Sequence, residues 1–399
     1  MDCTVLDFDV NTDPAGFIVD LGSLYDCLAG LTDHRCARGK RYALVTVLVF
    51  LVLAKLAGQD RLYGISQWVR LRKESLADVF QLSEPRAPCA NTYKNILEHA
   101  IDIDQLELVL REFFASQPAA GQSLVIALDG KTLRGTIPAG QTHGQHLLAA
   151  YLPAEGWVCF QVEVEGKENE ITAAPRVLKS LDLRGKIVTG DAIFAQRDLS
   201  LQIVQAGGEY VWAVKDNQSM LRQDIDLLFQ PEQTVKGFSR GTTDFRTAET
   251  LDKAHGRLEQ RRLTASAELQ GYLDWPGAKQ VFKLERRIIR LTDGQVTQER
   301  VFGITSLTAA EASPERLLGL IRSHWGIENG LHYRRDETLR EDWCHLKPGQ
   351  ASRAVAAINN LIVGLILHLG WRNLPAARRY FDAHPTEAQR LMLRRLADF

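Results

Sequence analysis

Residues 123–131 read SLVIALDGK, an apolar run from Ser123 to Leu128 that stops at Asp129 and Gly130. A short apolar run bounded by turn formers reads as a strand entering a loop. Working outward, 145–152 and 157–164 read as two more strands, joined across Pro153, Ala154, Glu155 and Gly156 as a hairpin. A helix at 173–181 follows, then a strand at 186–189 closed by Gly190 and Asp191, a helix at 199–206 and a strand at 210–214. Three neighbouring strands followed by alternating helices and strands predict an α/β fold, a mixed five-stranded sheet covered by helices.

That element order is the order of ribonuclease H-like domains. Between about 215 and 307 its rhythm is interrupted by β-rich sequence, in which 281–290 and 296–304 flank Asp293 and Gly294 as a further hairpin. The expected catalytic domain therefore covers 119–345 with a β insertion at about 215–307. Upstream, 21–118 has helical spacing (Leu21, Leu24, Leu28, Leu31; Leu106, Val109, Phe113) and predicts an amino-terminal helical domain. Residues 1–20 are acidic and aperiodic, a loose tail. From Pro314 the chain turns helical again, 351–369 reads as a core helix, and 346–399 are the carboxy-terminal helices.

The 399 residues are 45% hydrophobic and 24% charged, which excludes disorder, collagen and a disulfide scaffold. The 48 basic and 49 acidic side chains leave a net charge of −1, so a nucleic-acid partner has to be argued from local patches. Six scattered cysteines without a C-x-x-C pair argue against a zinc knuckle and fit a reducing compartment. The apolar run 43–54 is short for a bilayer span and reads as a buried core helix, with a buried strand as the alternative; the acidic first residues do not resemble a signal peptide, and the expected location is the cytoplasm.

Asp129 and Asp191 each follow a predicted strand and adjoin a glycine. If the first and fourth strands lie side by side, both carboxylates can share one divalent cation, and oxygen donors suit Mg²⁺ or Mn²⁺ better than zinc. A third carboxylate would complete a site for two ions about 4 Å apart, suited to phosphoryl transfer. Glu328, in IRSHWGIENG (321–330), is the third candidate, expected to be partly buried beside Trp325 and Ile327. Arg335 lies seven residues on, about two turns, and is expected on the same face as a phosphate clamp. Weighed against this, Asp beside Gly is an ordinary turn former, and helical glutamates usually pair with arginine. His143 and His146 lack a third ligand, His255 stands alone, and neither a P-loop nor a G-x-S-x-G elbow is present.

Six blocks, VIALDGK (125–131), KENEI (167–171), VTGDAIFAQ (188–196), YVWAVKDNQ (210–218), HGRLEQR (255–261) and HWGIEN (324–329), together resemble the ISAs-type insertion-sequence transposases, the H-repeat-associated proteins of the DDE transposase clan. The blocks fall in that family's order and span about 21–369. By motif, the resemblance implies Asp129, Asp191 and Glu328 as the catalytic, metal-binding triad. The clan's Tyr, Arg, Glu, Lys pattern is kept literally only at the glutamate, since those slots hold Ile321, His324, Glu328 and Arg335.

The resemblance further implies metal-dependent cleavage and strand transfer at insertion-sequence ends, with two Mg²⁺ ions that Mn²⁺ can replace, and double-stranded DNA (inverted repeats and target) as partner to a homodimer. The phosphate contacts expected are Lys131, Lys167, Lys215, Arg257, Arg261, Arg334 and Arg335, with Arg35, Arg38, Lys40 and Arg41 serving end recognition. Glu168 and Glu170 read as acids at a helix N-terminus that could assist a metal. The competing readings are a domesticated DNA-binding protein without catalysis and a metal-dependent nuclease without strand transfer.

Overall fold

The computed structural model describes residues 22–117, 124–165, 168–230, 244–254, 256–344 and 346–396. The acidic segment 1–20 lies outside them. Six helices come first: α1 (Leu24–Ala29), α2 (Leu44–Leu56), α3 (Leu62–Leu71), α4 (Lys73–Val79), α5 (Ala90–His99) and α6 (Ile103–Ala115). Strands β1 (Val125–Thr132), β2 (His146–Leu152) and β3 (Trp157–Val164) follow, then α7 (Glu170–Lys179), β4 (Ile187–Gly190), α8 (Arg197–Gln205), β5 (Glu209–Val214) and α9 (Ser219–Leu228). Four longer strands come next: β6 (Arg246–Ala254), β7 (Arg257–Ser266), β8 (Gln280–Arg290) and β9 (Val296–Thr305). The chain ends with α10 (Pro314–His324), two π-helical turns (Glu328–His332 and Arg334–Thr338), α11 (Gln350–His368), α12 (Leu374–Ala383) and α13 (Pro385–Leu393).

All nine strands form one mixed sheet, in the order β3-β2-β1-β4-β5-β9-β8-β7-β6. β2 is antiparallel to both β1 and β3, whereas β1–β4 and β4–β5 are parallel. The expected sheet had five strands, with a β insertion within the same domain. Instead β9 pairs antiparallel with β5, from Val211↔Thr305 to Val214↔Phe302, and the insertion extends the sheet. An open β5 edge would leave a row of unpaired backbone groups, and β9 occupies it.

α10 crosses one face of this sheet. Leu317, Leu318 and Leu320 pack there against Ile187, Val211, Leu263, Phe282 and Leu284. On the other face α7 packs against β2 and β3, and α8 against β5. The helices before and after the sheet pack on each other, α1 and α2 against α13, α2 against α12, and α5 and α6 against α11. α2 is the buried core helix expected from its apolar run, and burying each of its large side chains stabilises the fold by roughly 1.5–3 kcal/mol. α11 is long and apolar enough to cross a membrane, yet 83% of its apolar window lies inside the protein.

A chain of buried polar groups threads this helical layer. Arg353 of α11 grips Glu107 of α6, Gln161 of β3 donates to Glu107 (2.6 Å), and Asn360 donates to Gln161 (2.9 Å). Arg335 donates to Asn360 (3.1 Å) and, through Nε and a terminal nitrogen, to Glu341 (2.7 Å for the shortest bond), which also accepts from Asn359. The expectation that Arg335 clamps a phosphate is therefore corrected: it is 1% exposed and its fork is spent on Glu341 and Asn360. Burial alone would raise the Glu341 carboxyl, but Arg335, helped by Asn359 and Lys131, outweighs it and holds the carboxyl below its ordinary value.

Arg335→Met should leave Glu341 charged and unpaired in the core. The expected cost is about 3–5 kcal/mol in urea unfolding, with Arg335→Met plus Glu341→Leu recovering much of it; a single variant that melts like the wild type contradicts the network.

Candidate active site

The register of β1 and β4 sets the site. Leu128 and Gly190 are the last pair of the parallel ladder, and Asp129 and Asp191 are the residues that follow it. The expectation that the first strand stops at Asp129 is corrected: β1 runs on to Thr132 because its pairing with β2 continues past Asp129↔Ala149. Alternation puts Asp129 on the face of Val125 and Ala127, and Thr189, paired with Ala127, points to His324 at the end of α10 (Oγ1 to Nδ1, 3.4 Å). Both carboxylates act on the His324 ring: burial lowers its pKa, and Asp129 and Asp191 oppose that shift. Asp191 is exposed, with Lys215 Nζ 3.9 Å from its carboxylate.

The glycines beside the two aspartates are required by the opposite face. A Cβ on Gly130 would collide with the Glu170 carboxylate and His146 Nε2, which are hydrogen bonded at 2.8 Å. His146 Nδ1 is bound in turn to Thr132 Oγ1 at 2.8 Å. A Cβ on Gly190 would sit 2.7 Å from the Trp212 ring and 2.8 Å from Phe194. Glu170 is thus the first residue of α7, capped by Asn169, and it buttresses β1 from beneath.

Two contacts bind the glutamate-bearing segment to β1. His332 Nδ1 lies 3.3 Å from Asp129 Oδ2, and Lys131 Nζ is 2.6 Å from Asp336. Residues two apart on a strand share a face, and residues four apart on a helix lie about one turn apart, so the Asp129/Lys131 step meets the His332/Asp336 step. Glu328 sits at the start of this segment, four residues before His332. It was expected to be partly buried and is exposed, its carboxylate without a hydrogen bond or ion pair among the described residues. The segment itself is π-helical, with Tyr333 N–H bonded to the Glu328 carbonyl and Leu339 N–H to that of Arg334 (3.0 Å); such turns recur at functional sites.

Among the described residues no three of His, Cys, Asp and Glu are gathered closely enough to hold an ion. The two aspartates follow paired residues on neighbouring strands, and carboxylate oxygens are donors of the kind hard cations take.

The expected phosphate contacts divide. Lys131 is 8% exposed and paired with Asp336, and Arg261 is 8% exposed between Asp252 (2.6 Å) and Glu259 (2.8 Å), so both are corrected to structural cations. Lys215 and Arg257 are exposed. Arg334 is half-buried, donates to the Arg372 carbonyl (3.3 Å), and has its pKa lowered by burial. Lys167 and His255 lie outside the described residues. Arg35 and Lys40 are both tied to Asp33, whereas Arg38 and Arg41 are exposed. Sequence reasoning missed His332 and Asp336, whose only signal was a four-residue spacing that acquires meaning opposite β1.

Comparison with known proteins gives the family. A model described as "Transposase DDE domain" matches residues 120–363, and another, "DDE_Tnp_1-associated", matches 25–114. The "Uncharacterized protein in dhlA 3'region" of Xanthobacter autotrophicus is 33% identical over 282 residues, 69% of this chain and 91% of its own length. The "H repeat-associated putative transposase YhhI" of Escherichia coli K12 is 32% identical over 250 residues, 61% of this chain and 64% of its own length. A solved piggyBac transposase synaptic complex with hairpin DNA aligns over 92% of this chain and 78% of its own at a TM-score of 0.44 and 11% identity, too loose a likeness to argue from. With the transposase model matching more than half of its residues, the chain belongs to the DDE transposases, enzymes of DNA transposition.

Proposed function

We propose that Asp129, Asp191 and Glu328 are the catalytic carboxylates of this transposase, and that they hold two divalent ions, Mg²⁺ or Mn²⁺, to cut and join DNA at insertion-sequence ends. The observation that carries the reading is that Asp129 and Asp191 both follow the last pair of the parallel β1–β4 ladder, with the segment after Glu328 fastened to β1 through Asp129 and Lys131. When bound, such ions neutralise charge on the phosphoryl oxygens and acidify water. The strand order β3-β2-β1-β4-β5 supports a ribonuclease H-like core within the larger sheet.

In this reading the chain supplies position. β1 and β4 hold two carboxylates on a rigid sheet edge, and the π-helical segment brings the third from the side. A water attacks the phosphodiester at the element's end: its oxygen bonds to phosphorus, and the 3′-oxygen leaves as a hydroxyl. That hydroxyl then attacks a target phosphodiester at the same carboxylates, displacing another 3′-oxygen. Lys215, next to Asp191, meets the negative charge of the scissile phosphate, while Arg257 and Arg334 contact flanking phosphates. The helices of 22–117 read the DNA end through Arg38 and Arg41, two protomers act together on paired ends, and the protein works in the cytoplasm.

Asp129→Asn, Asp191→Asn and Glu328→Gln are each expected to lower Mg²⁺-dependent cleavage of DNA bearing the flanking inverted repeats by about 10³-fold or more while DNA binding persists. Wild type that binds but does not cut in either Mg²⁺ or Mn²⁺ would mark a non-catalytic DNA-binding protein, and cutting without joining would mark a nuclease. Chelation should abolish cleavage, with Mn²⁺ restoring it.

Asp336→Asn breaks the Lys131 pair and loosens the Glu328 segment. Cleavage is expected to fall roughly 10-fold or more at unchanged DNA affinity; equal activity in a single-turnover assay counts against this positioning.

A further inference from the structure

A cleft of about 870 Å³ lies where the first helices, the π-helical segment and α12 meet, lined among others by Arg61, Tyr63, Glu337, Arg340, Arg378 and Arg379. Arg61, Arg340 and Arg379 are exposed, and their guanidinium groups form no hydrogen bond or ion pair among the described residues. The acids of the cleft are mostly committed: Asp60 accepts from Arg378 (2.6 Å), and Asp382 accepts from Trp68 Nε1 (3.2 Å) and Arg72 (3.4 Å). Glu337 alone is exposed without such a bond, so three free cations face one free carboxylate.

Two further features mark this surface. Arg340 holds the left-handed backbone (φ 49°, ψ 41°), a conformation that is strained for a non-glycine residue and tends to persist at functional sites. Tyr63 is 70% exposed in the first turn of α3, with its neighbour Arg61 at the N-cap, where the helix already carries positive potential. A cation there opposes the usual preference for acids and adds to the field that attracts an anion. The floor is rigid, because Arg378 bonds the carbonyls of Lys55 and Thr338 as well as Asp60.

We infer that this cleft binds the phosphate backbone of the DNA duplex beside the catalytic carboxylates, through Arg61, Arg340 and Arg379 and the Tyr63 hydroxyl. The inference rests on the transposase reading and adds a seat for the DNA. Its wall is continuous with the Glu328 segment, so DNA held there is fixed relative to the third carboxylate. Arginine and tyrosine donors of this kind position a duplex without reading its sequence.

The test measures binding of inverted-repeat duplex and of unrelated duplex over a salt series, without divalent cations, using the full chain. Arg61→Gln plus Arg379→Gln is expected to weaken both duplexes about 10-fold or more at 0.15 M salt and to reduce the salt slope by about 1.8, two phosphates' worth. Arg340→Gly supplies an arm that misfolding cannot mimic: glycine relieves the left-handed backbone, so thermal stability should hold or rise while binding weakens. Tyr63→Phe should weaken binding about 3-fold through the lost hydroxyl. Wild type that binds and cleaves, with variants unchanged in affinity and slope, overturns the cleft and leaves the transposase reading intact. Wild type that binds neither duplex overturns both.

Discussion

Parallel pairing of β1 with β4 is the constraint on which the rest of this molecule depends. It sets Leu128 beside Gly190 as the last pair of the ladder, and the residues that follow them are both aspartates. Parallel neighbours must be joined by a crossover, and here the crossover carries β2, β3 and α7 before β4 returns to the centre. The glycine beside each aspartate follows from the same arrangement, because Glu170, Trp212 and Phe194 fill the opposite face where a side chain would stand.

The third carboxylate depends on a different kind of force. The segment after Glu328 is joined to β1 by polar contacts, Asp129 with His332 and Lys131 with Asp336, while Ile327 and Leu331 anchor it in the core. The Glu328 segment is also coupled to the ends of the chain: through Arg335 it joins the buried chain of Glu341, Asn360, Gln161 and Glu107, and through Thr338 it meets Arg378 of α12. Helices from both termini therefore support the position of one short π-helical segment.

The first five strands, their order and the end of β4 at Asp191 were legible because strand periodicity and glycine punctuation are local signals; the Asp129–Gly130 step misled, because pairing with β2 carries β1 on to Thr132. The 281–290 and 296–304 hairpin was legible for the same reason. The β6–β7 pair was not, since polar and charged residues occur on both faces of these strands, including Glu259 and Arg261 on the buried face of β7, and leave no apolar alternation to read. That the insertion would continue the sheet also escaped local reading, because only the free edge of β5 decides it.

Residue type alone identified the carboxylates and the cations of this protein, and the order of the motif blocks identified its family. Which cations face solvent was decided by tertiary structure. Lys131, Arg261 and Arg335 look like Lys215 and Arg257 in one dimension, yet the first three are buried against Asp336, Glu259 and Glu341, and the others are exposed. A charge leaves water only where folding supplies a partner at close range. Asp336 lies far along the chain from Lys131, Glu341 stands in a turn that periodicity does not announce, and Glu259, though two residues from Arg261 on β7, becomes buried only when the sheet is covered. The clustering of Arg61, Arg340 and Arg379 in one cleft has the same origin, since residues from three distant segments meet only when the helices of both chain ends pack together.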